Sequence, residues 1–384
     1  MKYFYFKFVI FLLLSISMHS QTLDTLVDVG GYKMHFKIMK GEGTPILFEA
    51  GGGNDASVWS DILENIHEVT GTTLITYDRS GFGTSELNPN LKNESDFGIE
   101  NGIKELEAGL LRLGYNQEVI LVSHSYGGLY NLLYANKHPK KVKSIVLIDV
   151  TLSNFWNEEL LTMRDHNVDI STIKKPSGDY YLNVNFNETM RYVRNKEFPK
   201  NISIINVFPE NSFPGYPEIL SGRWLKLHKE LGDQNDNVEN ILAEGSGHAV
   251  FQDNPGLTIN TIIKAYSETL DGKKQNEFLK KAFDNAIDLS IQTKKVEIEN
   301  KHSEGDLNEW AYSLLRGGAL DKALQIFKLN IMLFPNSWNA YDSYGEALLQ
   351  SDKKAEAIEA YEKSIELNPE NENAKTMLLQ IKQR

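Results

Sequence analysis

A serine between two small residues is the first group in this sequence whose setting suggests covalent chemistry. Ser125 follows an apolar run in the stretch VILVSHSYGG, with Ser123 two positions before it and Gly127 two positions after it. A serine on a sharp strand-to-helix turn needs small neighbours at these positions, because larger side chains would collide in the strained backbone. The spacing therefore predicts a nucleophilic serine, although the pattern by itself also fits an ordinary turn.

A glycine-rich loop follows an earlier apolar run. Residues 46–53 read ILFEAGGG, so a predicted strand ends in consecutive glycines. Glycines let backbone N–H groups approach an oxyanion without interference from side chains. We expect the N–H groups of Gly52 and of Tyr126, the residue after Ser125, to form an oxyanion hole. A phosphate-binding loop is excluded because no Lys-Ser or Lys-Thr pair follows the glycines.

A histidine in a second glycine-rich loop is the candidate general base. His248 lies in the stretch EGSGHAVFQ after the last predicted strand, where a loop can bring its ring over Ser125. The other histidines lie in different settings. His124 adjoins Ser125 but is expected to point the other way along its strand, and His228 lies in a helical pattern typical of a packing residue. The sequence thus predicts Ser125 as nucleophile and His248 as base.

Short apolar runs alternate with helical patterns from residue 22 to about residue 270. Strands are predicted at residues 27–29, 33–38, 45–49, 73–77, 119–123, 144–148, 202–208 and 238–243, the first two as an opening hairpin. Several are continuous apolar runs, which are typical of strands covered on both faces. Strands that alternate with helices predict a largely parallel sheet and hence an α/β fold.

One interval between predicted strands is unusually long. Residues 151–200 combine aromatic side chains with many polar ones, where a simple crossover would need far fewer residues. We interpret this insertion as a cap over the carboxyl edge of the sheet, where open α/β sheets bind ligands. A long surface excursion is the alternative.

These features together resemble the α/β-hydrolase superfamily. The turn at Ser125, the glycine loop at 51–53 and the run YDRSGFGTS at 77–85 carry the resemblance, which extends from about residue 28 to residue 270. In that superfamily a run such as 77–85 forms the turn after the fourth strand. The resemblance therefore covers most of the N-terminal two thirds of the chain.

The resemblance implies a specific domain organisation. We expect residues 21–270 to form an α/β-hydrolase domain, with the cap inserted at 151–200. It also implies a structural role for the turn at 77–85, in which Asp78 and Arg79 are expected to pair with each other and to hydrogen-bond to the loop.

The resemblance also places an acidic residue between Ser125 and His248 along the chain. Two acids follow predicted strands in this interval, Asp149 and Glu210. We favour Asp149, because it follows its strand immediately and has the shorter side chain, whereas Glu210 lies beyond a proline. Both remain candidates at this point.

These residues predict acyl transfer to water through an acyl-enzyme on Ser125. A small-molecule carboxylic ester is the expected substrate, since the aromatic cap suggests a modest apolar pocket. An aminopeptidase-like amide hydrolase is the alternative, although such relatives usually carry Trp where this chain has Tyr126. A serine nucleophile argues against the dehalogenase and epoxide-hydrolase branches, which use Asp. No metal ion or cofactor is expected, and the chain has no cysteine.

A 34-residue period marks the C-terminal region. The pairs at this separation are Ala311 and Gly345, Leu314 and Leu348, Ala323 and Ala357, Phe327 and Tyr361, and Pro335 and Pro369. Small residues at helix crossings and a closing proline at this period resemble tetratricopeptide repeats. We expect a linker at 271–304 and the repeat region at 305–384, with repeats at 305–334 and 335–368 and a closing helix.

Two repeats are fewer than the roughly three that usually fold alone. We therefore expect them to pack on the hydrolase domain, on the linker or on a second chain. They predict a protein partner or self-association. A non-catalytic adaptor that acts through these repeats is the alternative to an enzyme.

The first twenty residues have the layout of a secretory signal peptide. Lys2 and Lys7 precede the apolar run 8–14, and small residues follow up to Ser20. The apolar run is shorter than the roughly 20 residues that span a bilayer, and an N-terminal anchor is the alternative. We expect residues 1–20 to be removed and the protein to be periplasmic or secreted, with no integral membrane anchor. The net charge of −12 argues against nucleic acid as a partner.

Overall fold

The computed structural model describes residues 22–212, 218–275, 278, 303–318 and 320–383. These residues fall into two compact units. Residues up to 254 together with 261–275 make the first unit, and residues 255–260 together with those from 276 onward make the second. The predicted signal peptide at 1–20 and most of the predicted linker at 271–304 lie outside the described residues. None of the described helices is long and apolar enough to cross a membrane.

A single eight-stranded sheet forms the centre of the first unit. Its strands are β1 (Thr22–Asp28), β2 (Lys33–Met39), β3 (Ile46–Glu49), β4 (Leu74–Tyr77), β5 (Val119–His124), β6 (Val142–Ile148), β7 (Ser203–Asn211) and β8 (Val238–Gly247). Their order across the sheet is β1-β2-β4-β3-β5-β6-β7-β8. β2 pairs antiparallel with both β1 and β4, and all further neighbours are parallel.

The sheet confirms the predicted α/β class. Strands β3, β4 and β5 are buried along their whole length, as expected of strands covered on both faces. The opening strand is longer than predicted, because β1 begins at Thr22 and not at Val27, and its residues alternate between exposed and half-buried. A search for apolar runs misses such an edge strand, since every second side chain faces solvent.

Helices connect and cover the strands. In chain order they are α1 (Ser60–Thr70), α2 (Ile99–Leu113), α3 (Gly127–Lys137), α4 (Glu158–Asn167), α5 (Gly178–Val184), α6 (Phe186–Val193), α7 (Glu218–Asp233), α8 (Val250–Asp253) and α9 (Pro255–Ser267). Side chains from β2, α2 and α3 share one large apolar core with those of the parallel strands. This core holds the carboxyl ends of β5 and β6 in fixed positions.

Helices α4, α5 and α6 lie in the long interval between β6 and β7. Trp156 packs edge-to-face on Phe186, with 5.1 Å between the ring centroids. The N–H of Gly178, the first residue of α5, donates to the carbonyl of Gly81 at 3.0 Å. The interval therefore packs on the loop at the carboxyl end of β4, which is the edge of the sheet where a cap is expected.

In the part of the second unit that the structure describes from residue 303 onward, the helices are α10 (Glu304–Arg316), α11 (Leu320–Leu333), α12 (Trp338–Gln350), α13 (Lys354–Leu367) and α14 (Glu372–Gln383). The period-matched residues Ala323, Ala357, Phe327 and Tyr361 are fully buried. A Cβ on Gly345 would lie 3.0 Å from the ring of Tyr361, and Ala311 packs in one cluster with Phe327. The 34-residue period thus marks helix crossings where a small residue accommodates an aromatic ring.

Gly109 allows α2 to approach the sheet closely. A Cβ at this position would lie 2.2 Å from Cζ of Phe36, and Phe36 is fully buried and stacked on Tyr77. We predict that Gly109→Ala lowers the free energy of unfolding by about 1–3 kcal/mol, the usual cost of overpacking. Urea denaturation followed by tryptophan fluorescence measures this change.

Gly222→Ala is the matched control, because it makes the same substitution in an exposed helix position. A Cβ on Gly222 would meet nothing within 4 Å. The better helix propensity of alanine should raise stability by up to about 1 kcal/mol. Equal effects of the two substitutions would contradict the close approach at Gly109.

Candidate active site

Ser125 occupies a strained turn between β5 and α3. Its φ is +52°, in the left-handed region that residues with side chains rarely adopt. The N–H groups of Thr151 and Gly128 both donate to the Ser125 carbonyl, at 2.8 and 3.0 Å. A Cβ on Gly127 would lie 2.6 Å from the carbonyl oxygen of Ala50. The small residue expected after the serine is therefore required by a close backbone contact.

His248 lies between Ser125 and Asp149. Its Nε2 is 2.9 Å from Ser125 Oγ, and its Nδ1 is 2.6 Å from Asp149 Oδ2. Because a carboxylate faces Nδ1, that nitrogen carries the proton and Nε2 can accept the serine proton. Asp149 is fully buried, whereas Ser125 and His248 are partly exposed. The structure thus places Ser125, His248 and Asp149 in the order expected of a nucleophile, a base and an acid.

The two candidate acids differ in position. Asp149 follows β6 directly, with a φ of +42°, and its carboxylate meets His248. Glu210 is exposed and lies within β7, which continues past the predicted end at residue 208 to Asn211. Because the strand continues, Glu210 does not stand at its end. The geometry favours Asp149 over Glu210 as the acid.

Two donors that the sequence analysis missed hold the Asp149 carboxylate. Trp224 of α7 donates its Nε1–H to Oδ1 at 2.6 Å, and the Ser212 hydroxyl lies 2.9 Å from Oδ1 and 2.8 Å from Oδ2. A buried carboxylate is unfavourable unless it is hydrogen-bonded, so these donors stabilise its charge and fix its orientation. Neither residue carries a signal in the sequence, where Trp224 fits an ordinary core position of a helix.

A second buried histidine lies behind Asp149. His228 of α7 stacks on Phe208, as a packing residue would, but its nitrogens also have polar partners. Its Nε2 is 3.1 Å from the Val150 carbonyl and 3.8 Å from Asp149 Oδ1, and its Nδ1 is 2.9 Å from Asn206 Oδ1. Burial lowers the pKa of His228 to about 4, against the opposing effect of the Asp149 carboxylate. The ring is therefore uncharged near pH 7.

The expected orientation of His124 was wrong. Its ring centroid lies 4.5 Å from that of His248, and its Nε2–H donates to the His248 carbonyl at 2.9 Å. His124 is the last residue of β5, and the loop that carries His248 folds across the face that His124 presents. Burial and the neighbouring His248 lower the pKa of His124 to about 4. His124 therefore acts as a neutral donor that holds the His248 loop.

The glycine loop after β3 lies against the turn at Ser125. A Cβ on Gly51 would lie 3.2 Å from Cβ of Ser125, and one on Gly52 would lie 3.4 Å from Cβ of Tyr126. Within the described ranges, the backbone N–H groups of Gly52 and Tyr126 donate no hydrogen bond. Two unused donors beside a serine hydroxyl are the kind of group that stabilises an oxyanion.

Arg79 supports the glycine loop, and the expected pairing with Asp78 was wrong. Arg79 Nε lies 3.7 Å from Glu49 Oε1, and its Nη2 donates to the Gly51 carbonyl. Asp78 instead accepts the Ala56 N–H at 2.9 Å. Successive side chains at a strand end point to opposite sides, which separates Asp78 from Arg79. Burial raises the pKa of Glu49 to about 7, although Arg79 opposes this shift.

Comparisons with known proteins agree with this architecture. Residues 44–167 match the family model described as alpha/beta hydrolase fold, and residues 338–371 match a tetratricopeptide repeat model. Together with the strand order, the first match identifies the fold of the first unit as the α/β hydrolase fold. The second match confirms the resemblance of the C-terminal helices to tetratricopeptide repeats.

Curated relatives match only part of the chain. A proline iminopeptidase of Lactobacillus delbrueckii subsp. lactis is 30% identical over 145 residues, which cover 36% of this chain and 48% of the relative. An uncharacterized protein of Bacillus subtilis strain 168 is 31% identical over 138 residues, covering 36% of this chain and 52% of the relative. The chain thus spans about half the length of the curated relatives that it matches.

Solved structures are similar at lower identity. A haloalkane dehalogenase from Agrobacterium tumefaciens C58 is 16% identical with a TM-score of 0.48, and the match covers 65% of this chain and 97% of that one. An epoxide hydrolase from Vigna radiata is 17% identical with a TM-score of 0.49, covering 63% of this chain and 97% of that one.

Removing the Trp224 donor tests the support of Asp149. Trp224→Phe keeps an aromatic ring but loses the N–H, so Asp149 orients His248 less well and Ser125 becomes a weaker nucleophile. We predict that labelling of Ser125 by a fluorophosphonate slows about 10-fold or more, because a hydrogen bond to a charged group contributes about 1.5–3 kcal/mol. Trp59→Phe is the control, since the buried Trp59 N–H has no hydrogen-bond partner among the residues that the structure describes. Equal labelling rates in both variants would contradict the role of Trp224.

The buried histidines predict a pH dependence of stability. His228 has a folded pKa of about 4, below the value of about 6.5 in an unfolded chain, so the unfolded state binds the proton more readily. The free energy of unfolding is therefore at its full value above pH 6.5, and it decreases as the pH falls toward 4. His124 behaves in the same way. Each ring contributes a slope of up to about 1.4 kcal/mol per pH unit.

His228→Gln removes one of these two rings. We predict that the slope of unfolding free energy against pH between 6.5 and 4 becomes smaller by up to about 1.4 kcal/mol per pH unit, whatever the change in absolute stability. His166→Gln is the control for removal of an imidazole ring at an exposed position. A slope that His228→Gln leaves unchanged would show that His228 is not held neutral by burial.

Proposed function

We propose that this chain, whose first unit has the α/β hydrolase fold, is an exported serine hydrolase that cleaves a carboxylic ester through an acyl-enzyme. The observation that carries the proposal is the continuous contact from Ser125 Oγ through His248 to Asp149, at 2.9 and 2.6 Å. The three residues follow β5, β8 and β6. They lie at the carboxyl edge of the sheet, where α/β folds bind ligands.

In the proposed reaction, His248 Nε2 removes the proton from Ser125 Oγ as that oxygen attacks the ester carbonyl carbon. Asp149 keeps Nδ1 protonated and stabilises the imidazolium. The imidazolium then gives its proton to the departing alkoxide, which leaves as an alcohol while the acyl group stays on Ser125. His248 next deprotonates a water molecule that attacks the acyl carbonyl, and the acid product leaves as Ser125 regains its proton.

The negative charge on the carbonyl oxygen is assigned to the N–H groups of Gly52 and Tyr126. Support comes from the contact between these two residues, with 3.4 Å from the Cβ position of Gly52 to Cβ of Tyr126. One donor of this kind contributes about 10²–10³ in rate. The Arg79 side chain, which donates to the Gly51 carbonyl, would keep this loop in place.

Amide hydrolysis is the second candidate reaction. The similar proteins named proline iminopeptidase support it, although they match this chain over about half of their length. We favour an ester because an alkoxide leaves more readily than an unprotonated amide nitrogen, and the residues described suffice for that step. Both reactions would use Ser125, His248 and Asp149 in the same roles.

The C-terminal repeats are proposed to bind a protein partner or a second copy of the chain. Their match to the tetratricopeptide model supports a role in protein interaction, and Trp310 and Trp338 are 51% and 40% exposed. A non-catalytic adaptor would use the same repeats, but the arrangement of Ser125, His248 and Asp149 favours an enzyme. Export to the periplasm or the medium is proposed on the composition of residues 1–20.

Ser125→Ala tests the catalytic proposal. The protein from Gln21 onward is assayed with 4-nitrophenyl esters of two to twelve carbons and with amino-acid 4-nitroanilides. We predict ester turnover that Ser125→Ala lowers by at least about 10⁴-fold, because removal of the nucleophile leaves only residual catalysis. Ser123→Ala is the matched control, since it removes a hydroxyl two positions away and keeps a small side chain.

The assay separates the alternatives. Turnover of anilides but not of esters would replace the ester with an amide as the substrate. No turnover on either panel, together with no fluorophosphonate labelling of Ser125, would refute the serine hydrolase and favour the adaptor.

A further inference from the structure

A small cavity beneath the cap is lined by groups that the proposed reaction does not use. Its volume is about 40 Å³, and each water molecule needs about 10–15 Å³ of such space, so it could hold one small polar group. Tyr126, the residue after Ser125, forms part of its wall. Leu182 of α5 also lines it and lies 3.7 Å from the Cβ position of Gly52. The cavity therefore adjoins the proposed oxyanion hole.

A buried carboxylate faces this cavity. Glu105 of α2 lines the cavity and is only 5% exposed. Its Oε1 accepts hydrogen bonds from Tyr32 OH at 2.7 Å and from Asn101 Nδ2 at 2.6 Å, and Asn88 Nδ2 lies 3.4 Å away. Oε2 accepts no hydrogen bond from the residues that the structure describes. It is also not fully buried. One oxygen of Glu105 is thus available to a ligand.

The charge of Glu105 is not balanced by a basic side chain within the described part of the molecule. Burial raises the pKa of Glu105, and neutral donors offset the shift only in part. Arg79 also lines the cavity, but it lies 3.7 Å from Glu49 and over the rings of Tyr126 and Tyr130, at 5.7 and 5.4 Å from their centroids. A buried carboxylate is stabilised by an opposite charge. A cation that reached Oε2 would therefore gain a charge-assisted hydrogen bond.

Aromatic rings form a further part of the wall. Tyr126 and Tyr130 line the cavity together with Phe97 and Tyr181, whose rings stack with centroids 3.8 Å apart. These ring faces already have partners, because Arg79 lies over Tyr126 and Tyr130 and the other two rings stack on each other. Glu105 is therefore the group that selects among ligands, since its charge would repel an anion and an apolar group would leave Oε2 unpaired. A primary ammonium group is small, is positively charged and carries three donors. It is the chemical group that this cavity suits best.

We propose that this cavity binds the ammonium group of an aminoacyl substrate, so that the acyl chain transferred to Ser125 carries a primary amine. This inference rests on the proposed serine hydrolase and names the acyl part of its substrate. It applies to esters and to amides alike, because the leaving group lies on the other side of the scissile carbonyl. Glu105 then sets specificity for the acyl group and takes no part in proton transfer.

Matched ester pairs test the proposal. The 4-nitrophenyl esters of glycine, β-alanine and 4-aminobutyrate are compared with those of propionate, butyrate and pentanoate, in which a methyl group replaces the ammonium. We expect at least one pair in which kcat/KM favours the ammonium ester by about 10-fold or more, through the charge-assisted hydrogen bond to Glu105. The chain length of that pair measures the distance from the cavity to Ser125.

Two variants identify the group responsible. Glu105→Gln keeps an oxygen for Tyr32 and Asn101 but removes the charge, so the preference should disappear while the methyl-terminated esters change less than about twofold. Tyr32→Phe loosens the side chain but keeps the charge, so the preference should survive. A wild-type preference for the methyl-terminated esters, or a preference that persists in Glu105→Gln, would overturn the proposal.

A binding measurement separates this inference from the hydrolase proposal. Ser125→Ala protein is titrated with ethylammonium chloride and with 1-propanol by calorimetry, with and without Glu105→Gln. Binding of ethylammonium alone, lost in Glu105→Gln, would support the cavity even if no ester is cleaved. Absence of ethylammonium binding and of any ester preference would show that the cavity holds only water, and would overturn the proposal even if Ser125 is catalytic.

Discussion

The buried negative charge of Asp149 is the constraint on which the arrangement of the site depends. The carboxylate has no exposed surface, so each of its oxygens needs a hydrogen bond from the protein. Trp224, Ser212 and His248 supply these bonds. Because the donors come from α7, from the end of β7 and from the loop after β8, these elements must pack against the end of β6. The orientation of His248 toward Ser125 follows from the same bonds.

Close backbone contacts are the second feature on which the arrangement of the site depends. Ser125 adopts a positive φ, and the adjoining glycines allow the loop after β3 and the start of α3 to approach each other within contact distance. The buried pair of Arg79 and Glu49 lies beside this loop, and Arg79 binds the Gly51 carbonyl. The strain at Ser125 is thus maintained by several neighbouring interactions, as expected where a side chain must be presented at a functional site.

Two buried carboxylates of the first unit, Asp149 and Glu105, have different surroundings. Asp149 accepts hydrogen bonds on both oxygens, whereas Oε2 of Glu105, a residue that lines the cavity beneath the cap, accepts none from the described residues. The buried rings of His124 and His228 are neutral and act as hydrogen-bonding groups beside the site. In the proposed reaction, Asp149 would orient His248 and Glu105 would select the substrate. The helical second unit keeps its own apolar core.

Local spacing in the sequence alone determined the α/β class, the strand-to-helix turn at Ser125 and the repeat of 34 residues, since each depends on the pattern of nearby side chains. Tertiary structure decided which acid meets His248, how His124 is oriented and which donors hold Asp149. Asp149 and Trp224 are 75 residues apart, and Asp149 and His248 are 99 apart. Their contact depends on β6, β7 and β8 lying side by side. Such long-range contacts follow from strand order and helix packing, and these cannot be predicted from short-range periodicity.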